Sequence, residues 1–385
     1  MHILLLVSGF QHISDPRRGM KFVIHLESYL KRGWKVGVIS TRQHGISLGK
    51  VLFEGKTFKV LNYKDAYIVM NVLSGKTLHL PEFALERVEQ LGVNISFSHY
   101  LRYCGCPEII HGHGSLAVGK HCLEASRRIG IPYVLTEHNS SYLTGSITSG
   151  LKEKIRPAIE NANCILPVSY SLGNAMQKLY GQSMPPWHVV PNIVDNSFFE
   201  ISRVSEHTDK FIVFSVGYMT HKKRPDILVK AFAEAFGDSD GILKLAGEGP
   251  EINNICKLVF SLGIEDKVDL LGPISHQRVA YEMAHSSVYV VSSDVETFSI
   301  PVVEAHAVGL PVVATCCGGP EELVNSDNGI LVPRGDYKAM ADALNFIRDR
   351  YSDYNPDEIR KRALLRFGEK AILDKLSSVY NSVCI

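Results

Sequence analysis

Short apolar runs alternate with amphipathic stretches along the whole chain. Apolar runs of about four to six residues bounded by polar or turn residues predict buried strands. Apolar positions three and four apart predict helices. In the first half, strands are predicted over 3–7, 36–39, 109–111, 133–135 and 164–168. The run Trp187-His-Val-Val-Pro-Asn-Ile193 reads as the last strand of that half. A helix is predicted over 20–31, with Phe22, Val23, Leu26 and Leu30 on one face. Residues 195–210 are polar and without period, which predicts a linker. A second series of strands follows at 211–216, 242–246, 268–271, 288–291 and 311–314. The final segment, 369–380, has helical spacing at Ile372, Leu376 and Val379. Strands alternating with helices imply an α/β fold with parallel sheets. A chain of 385 residues is long enough for two such domains.

One stretch carries candidate chemistry. Val288-Tyr-Val-Val291 predicts a buried strand ending in Ser292 and Ser293, and Pro311-Val-Val-Ala314 opens the next. Between them a short helix is expected. Ser299 suits its N-cap, Pro301 fits its first turn, where a missing N–H does no harm, and Gly309 is placed to end it. Glu296 then lies on the loop before the helix and Glu304 about one turn inside it. A helix N-terminus after a parallel strand is a ready phosphate site. Carboxylates repel phosphate but accept hydrogen bonds from sugar hydroxyls. A phosphate site flanked by two carboxylates suits a nucleotide sugar. Glu304 also sits among Val302, Val303 and Ala305, so its charge calls for a partner.

Composition narrows the class. Hydrophobic residues make up 45% and charged residues 21%, ordinary for a soluble globular enzyme. No run approaches the roughly 20 apolar residues of a membrane span, and the first strand is too short for a signal-peptide core. A cytoplasmic location is expected. The eight cysteines are scattered without a Cys-x-x-Cys pair, which predicts reduced thiols and gives no zinc signature. The net charge of +1 hides an asymmetry: residues 1–200 carry +7 and residues 201–385 carry −6. A basic first half suggests contact with an anionic surface, such as a membrane or a lipid-phosphate acceptor. No basic run is interleaved with aromatics, which argues against nucleic acid. A dehydrogenase reading fails at Gly247-Glu-Gly249, because Ile252 occupies the third glycine position of the dinucleotide fingerprint.

Taken together, the motifs resemble those of the group 1 retaining glycosyltransferases, family 4 of the carbohydrate-active enzymes. Residues 296–304 are followed by Gly309-Leu-Pro-Val-Val313 and Gly318-Gly-Pro-Glu-Glu-Leu-Val324. Ser215-Val-Gly217 with Lys223, Leu245-Ala-Gly-Glu-Gly-Pro250 and Leu271-Gly-Pro273 match later strand ends. Val190-Pro-Asn-Ile-Val-Asp195, His111-Gly-His-Gly114 and Thr136-Glu-His138 match within the first half.

The resemblance implies the GT-B fold, two Rossmann-like domains with parallel sheets facing a central cleft. Residues 1–195 would bind the acceptor and 205–366 the nucleotide sugar, and a helix in 367–385 would cross back to the first domain. It further implies transfer of a hexosyl or N-acetylhexosaminyl group with retention and without a metal or other cofactor. The donor is expected to be a UDP-sugar first and a GDP-sugar second. The acceptor is expected to be a glycan or a lipid-linked hydroxyl, in surface polysaccharide, lipopolysaccharide or glycolipid synthesis, with peripheral membrane contact through the first domain.

Residue by residue, Glu304 would bind the ribose hydroxyls and Glu296 the transferred sugar. Backbone groups at Phe298, Ser299 and Ile300 would hold the diphosphate. Lys223 would neutralise the leaving diphosphate, and His138 would lie near the transferred sugar. Gly19 and Gly217 would let the backbone approach the phosphates. The sequence departs from the family at Tyr218, where an arginine is common, and at Arg18, where a second glycine often stands. Arg224 is the candidate to replace the missing arginine. A nucleotide-sugar epimerase of the same fold and a non-catalytic nucleotide-sugar-binding scaffold are the alternative readings.

Overall fold

The computed structural model describes residues 1–10, 20–41, 58–71, 82–201, 203, 210–237 and 239–384. The chain divides into two compact units. One comprises residues 1–193 with 372–385, and the other residues 194–371.

The first unit is built on a seven-stranded sheet among the described residues. Its strands are β1 (His2–Val7), β2 (Lys35–Ser40), β3 (Phe58–Tyr63), β4 (Ala66–Asn71), β5 (Ile109–His113), β6 (Tyr133–Glu137) and β7 (Cys164–Pro167). They lie in the order β3-β4-β2-β1-β5-β6-β7. All neighbours run parallel except β3, which pairs antiparallel with β4 through a tight turn in which Lys64 takes a left-handed φ of 52°. The apolar pattern alone does not predict this edge hairpin. β3 alternates exposed and half-buried positions, as an edge strand does, and offers no continuous apolar run. By contrast β1, at the sheet centre, is buried at every position.

The second unit carries a six-stranded, fully parallel sheet among the described residues. Its strands are β8 (Phe211–Val216), β9 (Gly241–Ala246), β10 (Val268–Gly272), β11 (Val288–Val291), β12 (Val312–Thr315) and β13 (Gly329–Val332), ordered β10-β9-β8-β11-β12-β13. This is the doubly wound order of Rossmann-like folds. The chain winds outward from β8 in one direction, then returns to β11 and winds outward in the other. Setting β3 aside, the first sheet repeats the same winding, with its reversal between β1 and β5. The two Rossmann-like α/β domains expected from the alternating pattern are therefore present.

Two expectations about the connecting region change. The run 187–193 is not a strand. It follows β7 through Ile165 N–H to Pro186 O, His188 N–H to Ile165 O and Val190 N–H to Pro167 O, but forms only an isolated bridge at Trp187. Pro167 has no N–H to return the next bond, and Pro191 ends the run. The polar region after it opens with a helix, Asn196–Glu200, rather than with unstructured linker. Asp195 caps that helix by accepting from Ser197 N at 2.9 Å, and Phe198 and Phe199 are buried beneath it. One short turn with two apolar residues is too brief to register as a period.

The helix Glu369–Val383 enters the first unit at Ile372. Ile372, Leu373, Leu376, Val379 and Tyr380 share one core with Ile3, Leu5 and Val7 of β1 and with Val36 and Val38 of β2. The Tyr380 hydroxyl bonds His111 Nδ1 on β5 at 2.6 Å. Leu376 is 1% exposed. Leu376→Ala should therefore destabilise the first unit by about 2–5 kcal/mol. Urea denaturation should show that loss in a transition of the first unit while the second unit's transition stays in place.

Candidate functional site

The reversal between β8 and β11 opens a cleft at the carboxyl ends of these strands, of about 490 Å³ counted out to its open mouth. It is lined by Ser215, Gly217, Tyr218 and Lys223 from one side and by Ser292, Ser293, Glu296 and Ser299 from the other. Its floor is backbone packed on backbone. Gly247 has a φ of 124°, and a Cβ there would stand 1.9 Å from the Gly217 carbonyl oxygen. Gly247 N–H donates to Gly272 O at 2.7 Å, and Gly217 N–H to Ala246 O at 3.1 Å. The ends of β8, β9 and β10 can close this tightly only on glycine.

The loop bearing Glu296 is pinned by main-chain bonds. Glu296 N–H donates to Cys317 O at 2.9 Å and Gly319 N–H to Glu296 O at 2.8 Å. A Cβ on Gly319 would meet Phe298 Cα at 2.4 Å, so this glycine lets two backbones pass. Glu296 Oε1 accepts from Lys223 Nζ at 2.5 Å and from Ser293 Oγ at 2.7 Å. Lys223 sits on a single turn, His221–Lys223, whose end is held by Ser292 Oγ donating to Lys223 O at 2.9 Å. The two groups assigned to sugar and diphosphate thus neutralise each other across the cleft.

The helix after this loop, Ile300–Ala307, starts and stops where the sequence placed it. Pro301 occupies its first turn, and Gly309, at φ 81°, follows its last residues. The expected side-chain cap from Ser299 is absent. Ser299 adopts φ 74° and ψ 76°, whereas a capping serine needs an extended backbone to bring its hydroxyl back to the first free N–H groups. A left-handed serine is strained, and it lines the cleft. Phe298 is buried, edge-on to Phe367 at 5.8 Å, so only its backbone is available to a ligand. Ile300 is half-buried.

Glu304 lies behind the cleft rather than among its lining residues, buried to 5% exposure. It flanks Tyr289, a cleft residue. Burial first, then the charges of Glu304 and Glu296, push the Tyr289 phenol up from its ordinary pKa. Glu304 has the partner its burial demands: Oε1 meets His276 Nε2 at 2.9 Å. His276 Nδ1 lies 3.5 Å from Asp195 Oδ2, and its ring stands edge-on to Phe198 at 4.8 Å. Burial opposes a charge on His276, but hydrogen bonds to Asp195 and Glu304 outweigh it and raise its pKa to about 9. The His276 hydrogen bond brings the Asp195 carboxyl down to about 2, against the opposing effect of burial. The sequence reading passed over His276. Its one signal was position, as the first residue of a helix opening just after the β10 end.

Arg224, the candidate for the arginine missing at Tyr218, is engaged outside the cleft. Its guanidinium is held by Asp226 through two bonds of 2.9 Å, with Asp294 at 3.6 Å, and it does not line the cleft. Its left-handed φ of 48° places it directly before the helix Pro225–Phe236, whose first turn presents Asp226.

In the first unit, His138 follows β6. Its Nε2 lies 3.2 Å from His113 Nδ1, and the two rings stack with planes 8° apart. Glu137, the residue before His138, is fully buried. Its carboxylate accepts from the N–H groups of Ser115, His138 and Asn139 at 2.8–2.9 Å and from Ser115 Oγ. This buried carboxylate, quoted in the sequence only as part of a motif, fixes the turn that presents His138. His111 is a structural residue, bonded to Tyr380 and to Thr136 Oγ1 at 2.6 Å each, and burial lowers its pKa to about 3. Gly19 and Arg18 lie outside the described residues.

Comparison with known proteins agrees with this architecture. The description "Glycosyltransferase Family 4" matches residues 26–198, and "Glycosyl transferases group 1" matches residues 197–363. The chain belongs to the group 1, family 4 glycosyltransferases. It is 28% identical to N-acetyl-alpha-D-glucosaminyl L-malate synthase of Bacillus anthracis, over 72% of this chain and 75% of that protein. Among solved structures it is similar to sucrose-phosphate synthase of Thermosynechococcus elongatus, with a TM-score of 0.77 and 21% identity over 99% of both chains. It is also similar to Anabaena HepE in complex with UDP, with a TM-score of 0.75 and 19% identity over 99% of this chain and 100% of that one. These likenesses establish the GT-B fold. Among the described residues, no helix is long and apolar enough to cross a membrane.

The cleft floor gives a direct test. Gly247→Ala would force a methyl group against the Gly217 carbonyl in a backbone conformation that strains any L side chain. Loss of more than about 3 kcal/mol of stability in the second unit is expected by chemical denaturation. Gly263→Ala, where a Cβ meets nothing within 4 Å, controls for left-handed strain alone.

Proposed function

We propose that this glycosyltransferase moves a hexosyl or N-acetylhexosaminyl group from a nucleotide diphosphate sugar to a hydroxyl acceptor with retention of anomeric configuration. The observation that carries the reading is the Lys223–Glu296 pair, 2.5 Å apart, at the mouth of the β8/β11 reversal. In a free cleft the two charges satisfy each other. A bound donor separates them. Its diphosphate takes Lys223 and the backbone at Phe298, Ser299 and Ile300, and its sugar hydroxyls take Glu296. Glu304 accepts from the ribose hydroxyls, and Gly217 leaves room for the phosphates. HepE was solved with UDP, which supports a uridine donor as first choice, with a GDP-sugar second.

The reaction breaks the bond between the anomeric carbon and the diphosphate oxygen. It forms one from that carbon to the acceptor oxygen on the same face. The acceptor proton passes to the departing diphosphate. Negative charge builds on that oxygen, and Lys223 is placed to stabilise it without recourse to a metal ion. His138 is assigned to the transferred sugar, and Gly19 to the phosphates. The first domain is assigned to the acceptor, a glycan or lipid-linked hydroxyl in surface polysaccharide, lipopolysaccharide or glycolipid synthesis. Its charge of +7 over residues 1–200 supports peripheral contact with an anionic membrane on the cytoplasmic side.

Thermal-shift screening against UDP-glucose, UDP-N-acetylglucosamine and GDP-mannose should single out one donor, because a ligand stabilises in proportion to its affinity. With that donor, Glu296→Gln and Lys223→Ala should each lower kcat by about 100-fold or more while the melting temperature holds. Undiminished turnover in either variant would remove that residue from the mechanism. The rate should be unchanged in EDTA, and proton NMR of the product should show the donor's anomeric configuration.

A further inference from the structure

His276 joins Glu304 to Asp195, at the point where the chain enters the second unit. Both ring nitrogens face carboxylate oxygens: Nε2 faces Glu304 Oε1 at 2.9 Å and Nδ1 faces Asp195 Oδ2 at 3.5 Å. A neutral imidazole carries one N–H and one lone pair, so either tautomer would point a lone pair at a carboxylate. Only the imidazolium donates on both sides. Its position is fixed. Ser275 caps its helix, His276–Ala284, by accepting from Arg278 N at 3.2 Å, and Phe198 closes one edge of the ring.

We propose that His276, as an imidazolium clamped between Asp195 and Glu304, is a positioning residue that aims the Glu304 carboxylate at the donor's ribose hydroxyls, and that donor affinity falls when His276 loses its proton. The inference rests on the reading of Glu304 as a donor contact.

The physical argument is one of orientation. A buried carboxylate on a helix can rotate about its side-chain bonds. A charge-assisted hydrogen bond to one oxygen fixes the plane and leaves the other oxygen's lone pairs directed. Asp195 in turn fixes the ring, and Ser197 N–H fixes Asp195 at 2.9 Å. Among the described residues, the nearby cations have other partners. On the helix itself, Arg278 is held by Glu282, which also takes Lys244 of β9. β8, packed against this helix, has no titratable side chain, and Glu200 at the far end of the helix Asn196–Glu200 is exposed. His306, on the helix of Glu304, is kept neutral at neutral pH by burial, which lowers its pKa to about 4.

With a pKa raised to about 9, His276 is charged at neutral pH and releases its proton as pH rises through about 9. The clamp is fully present below the ordinary histidine pKa and is lost on the alkaline side. Deprotonation would leave Glu304 beside a neutral ring that holds only one of its two partners.

The test combines NMR and calorimetry on the full chain. The His276 ring should titrate near pH 9, and Glu304→Gln should lower that midpoint. A midpoint near the ordinary histidine value would overturn the proposal without reference to any ligand. Calorimetry would then follow UDP and GDP binding between pH 7 and pH 10. Wild-type affinity for the nucleotide that binds should fall by about tenfold across that range, and His276→Ala should be weaker by about tenfold at pH 7. His276→Gln can still donate to Glu304 and cannot titrate. It should stay within about threefold of wild type at pH 7 and show a flat profile, a pattern that lost packing would not produce. If Glu304→Gln weakens binding and His276→Ala does not, this proposal fails alone. If Glu304→Gln leaves binding unchanged, or neither nucleotide binds the wild type, the donor reading fails and takes the proposal with it.

Discussion

The second unit depends on a constraint of topology. A parallel sheet wound outward in both directions from β8 must leave its crossovers on opposite faces at the β8/β11 reversal. The resulting gap at the strand ends is where functional groups collect. Lys223 comes from the turn after β8, and Ser292, Ser293 and Glu296 from the turn after β11. Lys223 and Glu296, 73 positions apart in the chain, are thereby brought into hydrogen-bonding range without any dedicated scaffold. Glycine lets the ends of β8, β9 and β10 pack backbone on backbone beside the gap.

Charge is managed in a consistent way around that gap. Glu296 is paired with Lys223, Glu304 with His276 and Arg224 with Asp226. A buried carboxylate without a partner would be driven to take up a proton. The pairings differ in their surroundings. The Lys223–Glu296 pair is partly exposed and open to exchange with a ligand, with 35% of the lysine and 12% of the glutamate side chain accessible. The Glu304–His276–Asp195 chain is tied to a helix cap, which suits alignment.

The fold was largely legible in the sequence, and so was the loop-and-helix frame around Glu296. Central parallel strands such as β1 are buried along their length and mostly apolar, so they stand out as runs. The edge strand β3 is half-exposed and does not. The 187–193 run was misleading because its composition is strand-like while its pairing depends on a donor that Pro167, in another strand, lacks. Glu296, Glu304 and Lys223 were readable because loop and helix signals frame them. Arg224 was not, because its orientation is decided by Asp226 and Asp294, which no pattern of apolar residues encodes. His276 escaped for the same reason: its role lies in what it touches across the fold.

The helix Glu369–Val383 has a consequence for the order in which the protein assembles. Its residues from Ile372 onward complete the core around β1, yet they are made after the whole of residues 194–371. The second unit is a single continuous stretch of chain and can fold as it emerges during synthesis. The strands of the first unit are made earlier, but it stays short of Leu376 and Tyr380 until residues 194–371 have been translated. The half of the molecule that is synthesised first is therefore the half that finishes folding last.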